Sequence, residues 1–157
     1  MGYTHYWTPK TVDEKTWKKF LKDAKELHKN LPNKIKIRGG LGTGKPEFSK
    51  NAIYLNGDEK RGLNHETFFV SPTSGSWTFC KTARKPYDLL VCALLIAAHE
   101  TLDYVVNSDG DLEDWLPAID YYLDVIYEDK YDGFDRDQLE AILPEFLYKE
   151  LIDKNLA

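Results

Sequence analysis

Apolar residues between Trp17 and Leu31 recur at helical spacing: Trp17, Phe20, Leu21, Ala24, Leu27 and Leu31. Lys15, Lys18, Lys19, Lys22, Lys25 and Lys29 take the opposite face. The pattern predicts an amphipathic helix. Thr11-Val-Asp-Glu14 reads as its capping box, and Pro32-Asn33 as its end. Ahead of it, YTHYWT alternates as a strand does, with Tyr3, His5 and Trp7 on one face and Thr4 and Tyr6 on the other. KIKIR, AIYLNG, ETFFV and SWTFC read as further strands, separated by the Asn56-Gly57-Asp58 turn and the Ser71–Gly75 loop.

Residues 87–101 are apolar nearly all round, which places that helix at the centre of the fold, with Pro86 in its first turn. A short YVVN strand, a Ser-Asp-Gly turn and two more helices follow. The first is patterned by Trp115, Leu116, Ile119, Tyr122, Leu123 and Ile126, with Pro117 near its start. The second runs from about Asp135 to Asp153, with Pro144 expected to kink it. Strands come in a run rather than alternating with helices. The expected fold is therefore α+β: a small antiparallel sheet packed with about four helices, residues 1–157 forming a single domain.

Composition fits a folded globule, with 42% hydrophobic and 13% aromatic residues. No apolar run has the length of a membrane span, and the N-terminus has no secretion-signal pattern. Gly2 is followed by Tyr6 where a myristoylation motif wants Ser or Thr. Cys80 and Cys92 sit in apolar settings and read as buried free thiols, which implies a reducing cytoplasm. The net charge of −5 conceals an asymmetry: residues 1–85 carry 17 of the 21 Lys and Arg but 8 of the 26 Asp and Glu. Such a division points either to opposed faces with different partners or to halves that attract each other.

Three motifs come close to known chemistry. GGLGTGK, residues 39–45, has phosphate-loop spacing, but Pro46 replaces the magnesium-binding hydroxyl and no helix is expected after it; a flexible hairpin loop is the better reading. HETLD sets His99 and Asp103 one turn apart without a second histidine for zinc. NSDGDLED lacks the glycine and glutamate of a calcium loop and reads as a turn opening a helix. No metal set, cofactor motif or catalytic nucleophile is recognised.

The stronger signal is a cationic knot. Lys81, Thr82, Arg84 and Lys85 lie between a strand end and the start of the central helix, whose early N–H groups and dipole are already electropositive. An incoming phosphate would relieve that crowding. His5, Tyr6 and Trp7 on the N-terminal strand are candidates to frame a base beside it. Neutralisation of the knot by Asp88 and the acidic C-terminal helices is the competing explanation.

MGYTHYW, the FCKTARKPYD segment at 79–88 and the S-D-G-x(4)-W pattern of Ser108 to Trp115 resemble a family of small tailed-phage and prophage proteins of unassigned activity. The resemblance implies an intracellular phage context in the host cytoplasm, in which small proteins often counter host defence, some by sequestering nucleotide signals. The expected function is therefore a non-catalytic binder of an anionic small molecule, a nucleotide. One alternative is an acidic interaction module that imitates nucleic acid and occupies a host protein. Another is a nucleotide phosphoesterase with His5 or His99 as acid–base. The aromatic excess also permits a homo-oligomer interface.

Overall fold

A computed structural model describes residues 3–73 and 78–154. The myristoylation reading at Gly2 falls outside those residues. So do the ends of the predicted Ser71–Gly75 loop and SWTFC strand that meet at Ser74–Trp77.

The fold is α+β, with two small antiparallel sheets where one was expected. The first is ordered β5 (Thr78–Lys81), β1 (Thr4–Thr8), β6 (Val105–Ser108), so the N-terminal strand is its centre. The second is ordered β2 (Glu47–Phe48), β3 (Ile53–Leu55), β4 (Phe68–Val70). KIKIR does not form the strand that its alternation predicts. Only Arg38 bridges, to Asn56, while the flanking Pro32 and Gly39-Gly40 hold the segment in turns.

Helix α1 (Glu14–Lys29) buries Trp17, Phe20, Ala24 and Leu27 and turns its lysines outward, as its periodicity requires. Its cap lies two residues later than predicted. Asp13, not Thr11, accepts the Thr16 N–H, because a carboxylate there reaches a free donor directly. Helix α2 (Asp88–Leu102) runs through the core, with every residue from Leu90 to Ala98 buried. Helix α3 (Leu112–Tyr122) opens on a reciprocal Asp111–Asp114 capping box, which accounts for the acidic run there. Pro117 lies inside this helix rather than at its start. Pro144 does more than kink the last helix: it divides it into α4 (Arg136–Ile142) and α5 (Glu145–Asp153), since Leu143 is driven to extended backbone before the proline.

The glycine loop at 39–45 leads into strand β2, without the helix that a phosphate loop needs. The Gly40 carbonyl is pinned by Asn56 Nδ2 at 3.0 Å and Thr67 Oγ1 at 2.5 Å. Among the described residues no helix is long and apolar enough to cross a membrane.

Candidate functional site: a sheet face and the polar centre beneath it

Residues 3–7, 79–88 and 108–115, which carry the described part of the resemblance, are far apart in sequence and adjacent in space. Strand β1 pairs on one side with β5, which leads into the cationic turn. On the other side it pairs with β6, which leads through Ser-Asp-Gly into α3. Alternation then sorts the side chains onto two faces.

The inner face carries His5 and Trp7. Trp7 is 2% exposed and packs at 5.3 Å against Phe68, so it belongs to the core and does not present a ring to a ligand. His5 is fully buried between strand partners Cys80 and Ser108. Its Nδ1 lies 2.7 Å from Ser108 Oγ and its Nε2 lies 2.7 Å from Asp88 Oδ1. Asp88 opens helix α2, where a carboxylate is favoured by the dipole. It also accepts from buried Thr82 Oγ1 at 2.6 Å and from the Cys92 thiol at 3.6 Å. An ionised carboxylate only accepts, so His5 Nε2 carries the proton in this arrangement. Tyr3 and Trp115 meet the imidazole edge-on, with centroids at 5.0 and 5.1 Å. Trp115 is itself fully buried, and its indole N–H has no partner among the described residues.

Arg84 closes this centre from outside. Its guanidinium carbon lies 3.9 Å from the centroid of Tyr3, and Nη1 donates to Asp114 Oδ1 at 2.6 Å. The turn that aims it is costly: Ala83 and Arg84 both have positive φ, 53° and 58°, and Lys85 N–H closes onto Thr82 O at 3.0 Å. Two consecutive left-handed residues without glycine persist only where surrounding contacts hold them. Ala83→Gly is expected to raise stability by about 0.5 kcal/mol, because the relieved strain exceeds glycine's entropy cost, whereas Ala83→Val lowers it by about 1–2 kcal/mol. Urea unfolding of the two variants checks both signs.

The Arg84 hydrogen bond, with the Asp111 N–H and the guanidinium charge, holds the Asp114 carboxyl below its ordinary 3.8. A depressed carboxyl stabilises the fold above its ordinary range, and that contribution disappears as pH falls through the lowered value. The stability difference between wild type and Arg84→Ala is therefore expected to shrink on acidification, read as converging urea midpoints. Burial pushes the Cys80 thiol up to about 12. Burial first, then the Asp88 charge, drives Cys92 well above its ordinary value. Both thiols are buried and free, and as thiols they are poor nucleophiles.

The cationic knot differs from its expected form in two ways. Asp88 N–H, Leu89 N–H and Val91 N–H of helix α2 bond to Lys85 O, Pro86 O and Tyr87 O, so these do not converge on an outside anion. The charges are also partly answered within the chain, Arg84 by Asp114 and the helix end by Asp88. Thr82 is fully buried on Asp88, and with His5 and Trp7 it faces inward rather than toward a ligand.

What remains outside is the other face of the sheet. Tyr6 on β1 stands directly opposite Phe79 on β5 and Asn107 on β6, so the three side chains share that face. Phe79 is 44% exposed. Lys81, two residues along the same strand and also exposed, holds its Nζ 5.9 Å from the centroid of Phe79. Lys85 is half-exposed at the end of the turn. Tyr6 Oη donates to Asp109 Oδ1 at 3.1 Å, and Asp109 Oδ2 accepts the Thr4 N–H.

Sequence reasoning overlooked Phe79, Asp88 and Cys92 as site residues. Phe79 was legible as the outward partner of the cation two positions on. Asp88 and Cys92 are one helical turn apart, a spacing that turns both toward β1. Comparison with family models, with curated proteins and with solved structures gives no match.

Proposed function

We propose that the outer face of the β5–β1–β6 sheet binds a phosphate-bearing small molecule of nucleotide type and does not turn it over. The observation that carries this reading is the placement of Tyr6 beside Phe79 with the Lys81 ammonium over the Phe79 ring. An open sheet with neighbouring aromatic rings offers π-faces for a base, and cations along its edge meet phosphate. Lys81, Lys85 and the exposed side of Arg84 supply those cations. Asp109 is placed to accept from a ribose hydroxyl or an exocyclic amine beside Tyr6. Binding without turnover is favoured because His5 is sealed in the interior with both ring nitrogens engaged, while His99 Nδ1 is occupied by Tyr104 O at 3.1 Å. Sequestering a nucleotide signal in a phage-infected cell is the role that the family resemblance adds to this reading.

The test is thermal shift against a panel of mono-, di- and cyclic nucleotides, with mass spectrometry of whatever the heated protein releases. At least one nucleotide is expected to raise the melting temperature and to be recovered unchanged. No shift with any of them, or recovery of a hydrolysed product, contradicts the proposal.

A second reading has its own observation. Asp120, Asp124, Asp129 and Asp132 line one surface cavity with Tyr121, Tyr131 and a single cation, Lys130, a net acidic surface of the kind that an interaction module imitating nucleic acid would present. Capture of a host DNA-binding protein that survives charge reversal at Lys81 and Arg84, but not at Asp120 and Asp124, would select it over nucleotide binding.

A further inference from the structure

The polar centre under the sheet combines an imidazole, a carboxylate and a thiol whose ligand atoms all lie within 4.8 Å of one another. Each comes from a rigid element: His5 from the central strand, Asp88 and Cys92 from successive turns of the core helix. Cys92 Sγ is 3.4 Å from His5 Nε2 and 3.6 Å from Asp88 Oδ2. Ligands around a tetrahedral zinc ion stand about 3.4–3.6 Å apart, given bonds of about 2.0–2.1 Å to nitrogen or oxygen and 2.3 Å to sulfur. With Asp88 Oδ2 as the carboxylate ligand atom, the separations of Cys92 Sγ from His5 Nε2 and from Oδ2 already match. The 2.7 Å contact of His5 Nε2 with Asp88 Oδ1 is the hydrogen bond that an entering ion would replace.

We propose that His5 Nε2, Asp88 and Cys92 Sγ form a binding site for a divalent metal of the zinc type. The donor set mixes borderline and soft ligands, which suits zinc better than magnesium or calcium. On binding, the Cys92 thiol proton leaves to solvent as the sulfur–metal bond forms. The His5 proton moves to Nδ1, where Ser108 Oγ at 2.7 Å accepts it. Ser108 Oγ is itself held by the Gly110 N–H at 2.9 Å, so on metal binding only its hydroxyl proton must turn away from Nδ1 for it to orient the metal-bound histidine. The Asp88 side chain is 18% exposed, which gives the ion an approach and leaves a fourth position for water. Thr82 Oγ1, 2.6 Å from Asp88 Oδ1, fixes the carboxylate from the second side. The bound ion would tie β1 to α2 beneath the sheet face. The inference does not depend on nucleotide binding and stands or falls separately.

The test titrates the purified full chain, freed of metal by a chelator, with Co²⁺ and then with Zn²⁺ against a chromophoric chelator. One equivalent of Co²⁺ is expected to give the intense visible bands of a tetrahedral complex and a near-ultraviolet thiolate-to-cobalt band, both displaced by Zn²⁺. Cys80→Ala keeps the thiolate band, Cys92→Ser loses it, and Ser108→Ala weakens zinc binding about 10–100-fold. A weak octahedral cobalt spectrum in the wild type, a stoichiometry far below one, or a thiolate band that depends on Cys80 overturns the site. The wild-type spectrum decides the matter even if Cys92→Ser fails to fold.

Discussion

Replacing Asp88 with alanine is expected to destabilise the protein by about 3 kcal/mol, more than removing any surface charge. The reason is shared dependence. His5 Nε2–H, Thr82 Oγ–H and the Cys92 thiol all donate to this one carboxylate, and all three donors are buried. Taking the acceptor away leaves them in a low-dielectric interior without water to replace it. Asp88→Asn keeps an acceptor oxygen and should cost roughly half as much, because one carbonyl serves part of the set while the new amide needs partners of its own. Removing Thr82 Oγ by Thr82→Val in the alanine background should then be nearly free, since its partner has gone. Equilibrium urea unfolding of the single and double variants measures this coupling. A loss below about 1 kcal/mol for Asp88→Ala would mean that the carboxylate is not what holds the centre together.

The second large effect concerns the sheet face. Tyr6→Ala is expected to weaken nucleotide binding roughly 10–100-fold, from loss of a stacked ring. Lys81→Ala is expected to weaken it about 10-fold and to flatten its salt dependence, from loss of a phosphate contact. Both residues sit on the solvent side of β1 and β5, so neither change should alter the unfolding free energy by more than about 1 kcal/mol. Lys22→Ala, in the outward lysine row of α1, is the matched control and should leave affinity unchanged. Isothermal titration at two ionic strengths separates the stacking and charge contributions. Equal losses for Lys22→Ala and Lys81→Ala would point to nonspecific attraction by the basic half of the chain.

Much of the fold was legible because its largest elements follow simple periodicities. The lysine-backed stripe of α1 and the continuous apolar run of α2 each have one way to be buried, and both lie where the pattern placed them. The short elements were harder. KIKIR alternates as a strand but has only the Arg38–Asn56 bridge, and a two-residue strand such as Glu47–Phe48 leaves almost no periodic trace. Division of the strands between two sheets is a tertiary fact: β1 pairs with β5 and β6, which begin about 70 and 97 residues beyond its end.

The site was legible in part for the same reason. Local charge drew attention to residues 81–85, and the alternation of YTHYWT correctly grouped His5 with Trp7. Which face of β1 would be buried was not written locally. The sheet turned His5 and Trp7 inward, left Tyr6 outside, and brought Ser108 and Asp114 from beyond residue 100 to complete the surroundings of His5 and Arg84. The cation-rich turn also looked unbalanced only while its long-range carboxylate, Asp114, was unseen.

The proposed nucleotide site is tested directly by following backbone amide resonances of ¹⁵N-labelled protein during titration with the nucleotide that gives the largest thermal shift. Perturbations are expected to concentrate at Tyr6, Phe79, Lys81, Arg84 and Asn107, along adjacent rows of the β5–β1–β6 sheet. Saturable shifts centred instead on the 39–45 loop or on the acidic cavity around Asp120 and Asp124, with the sheet rows unmoved, would contradict the assignment of this face as the ligand site.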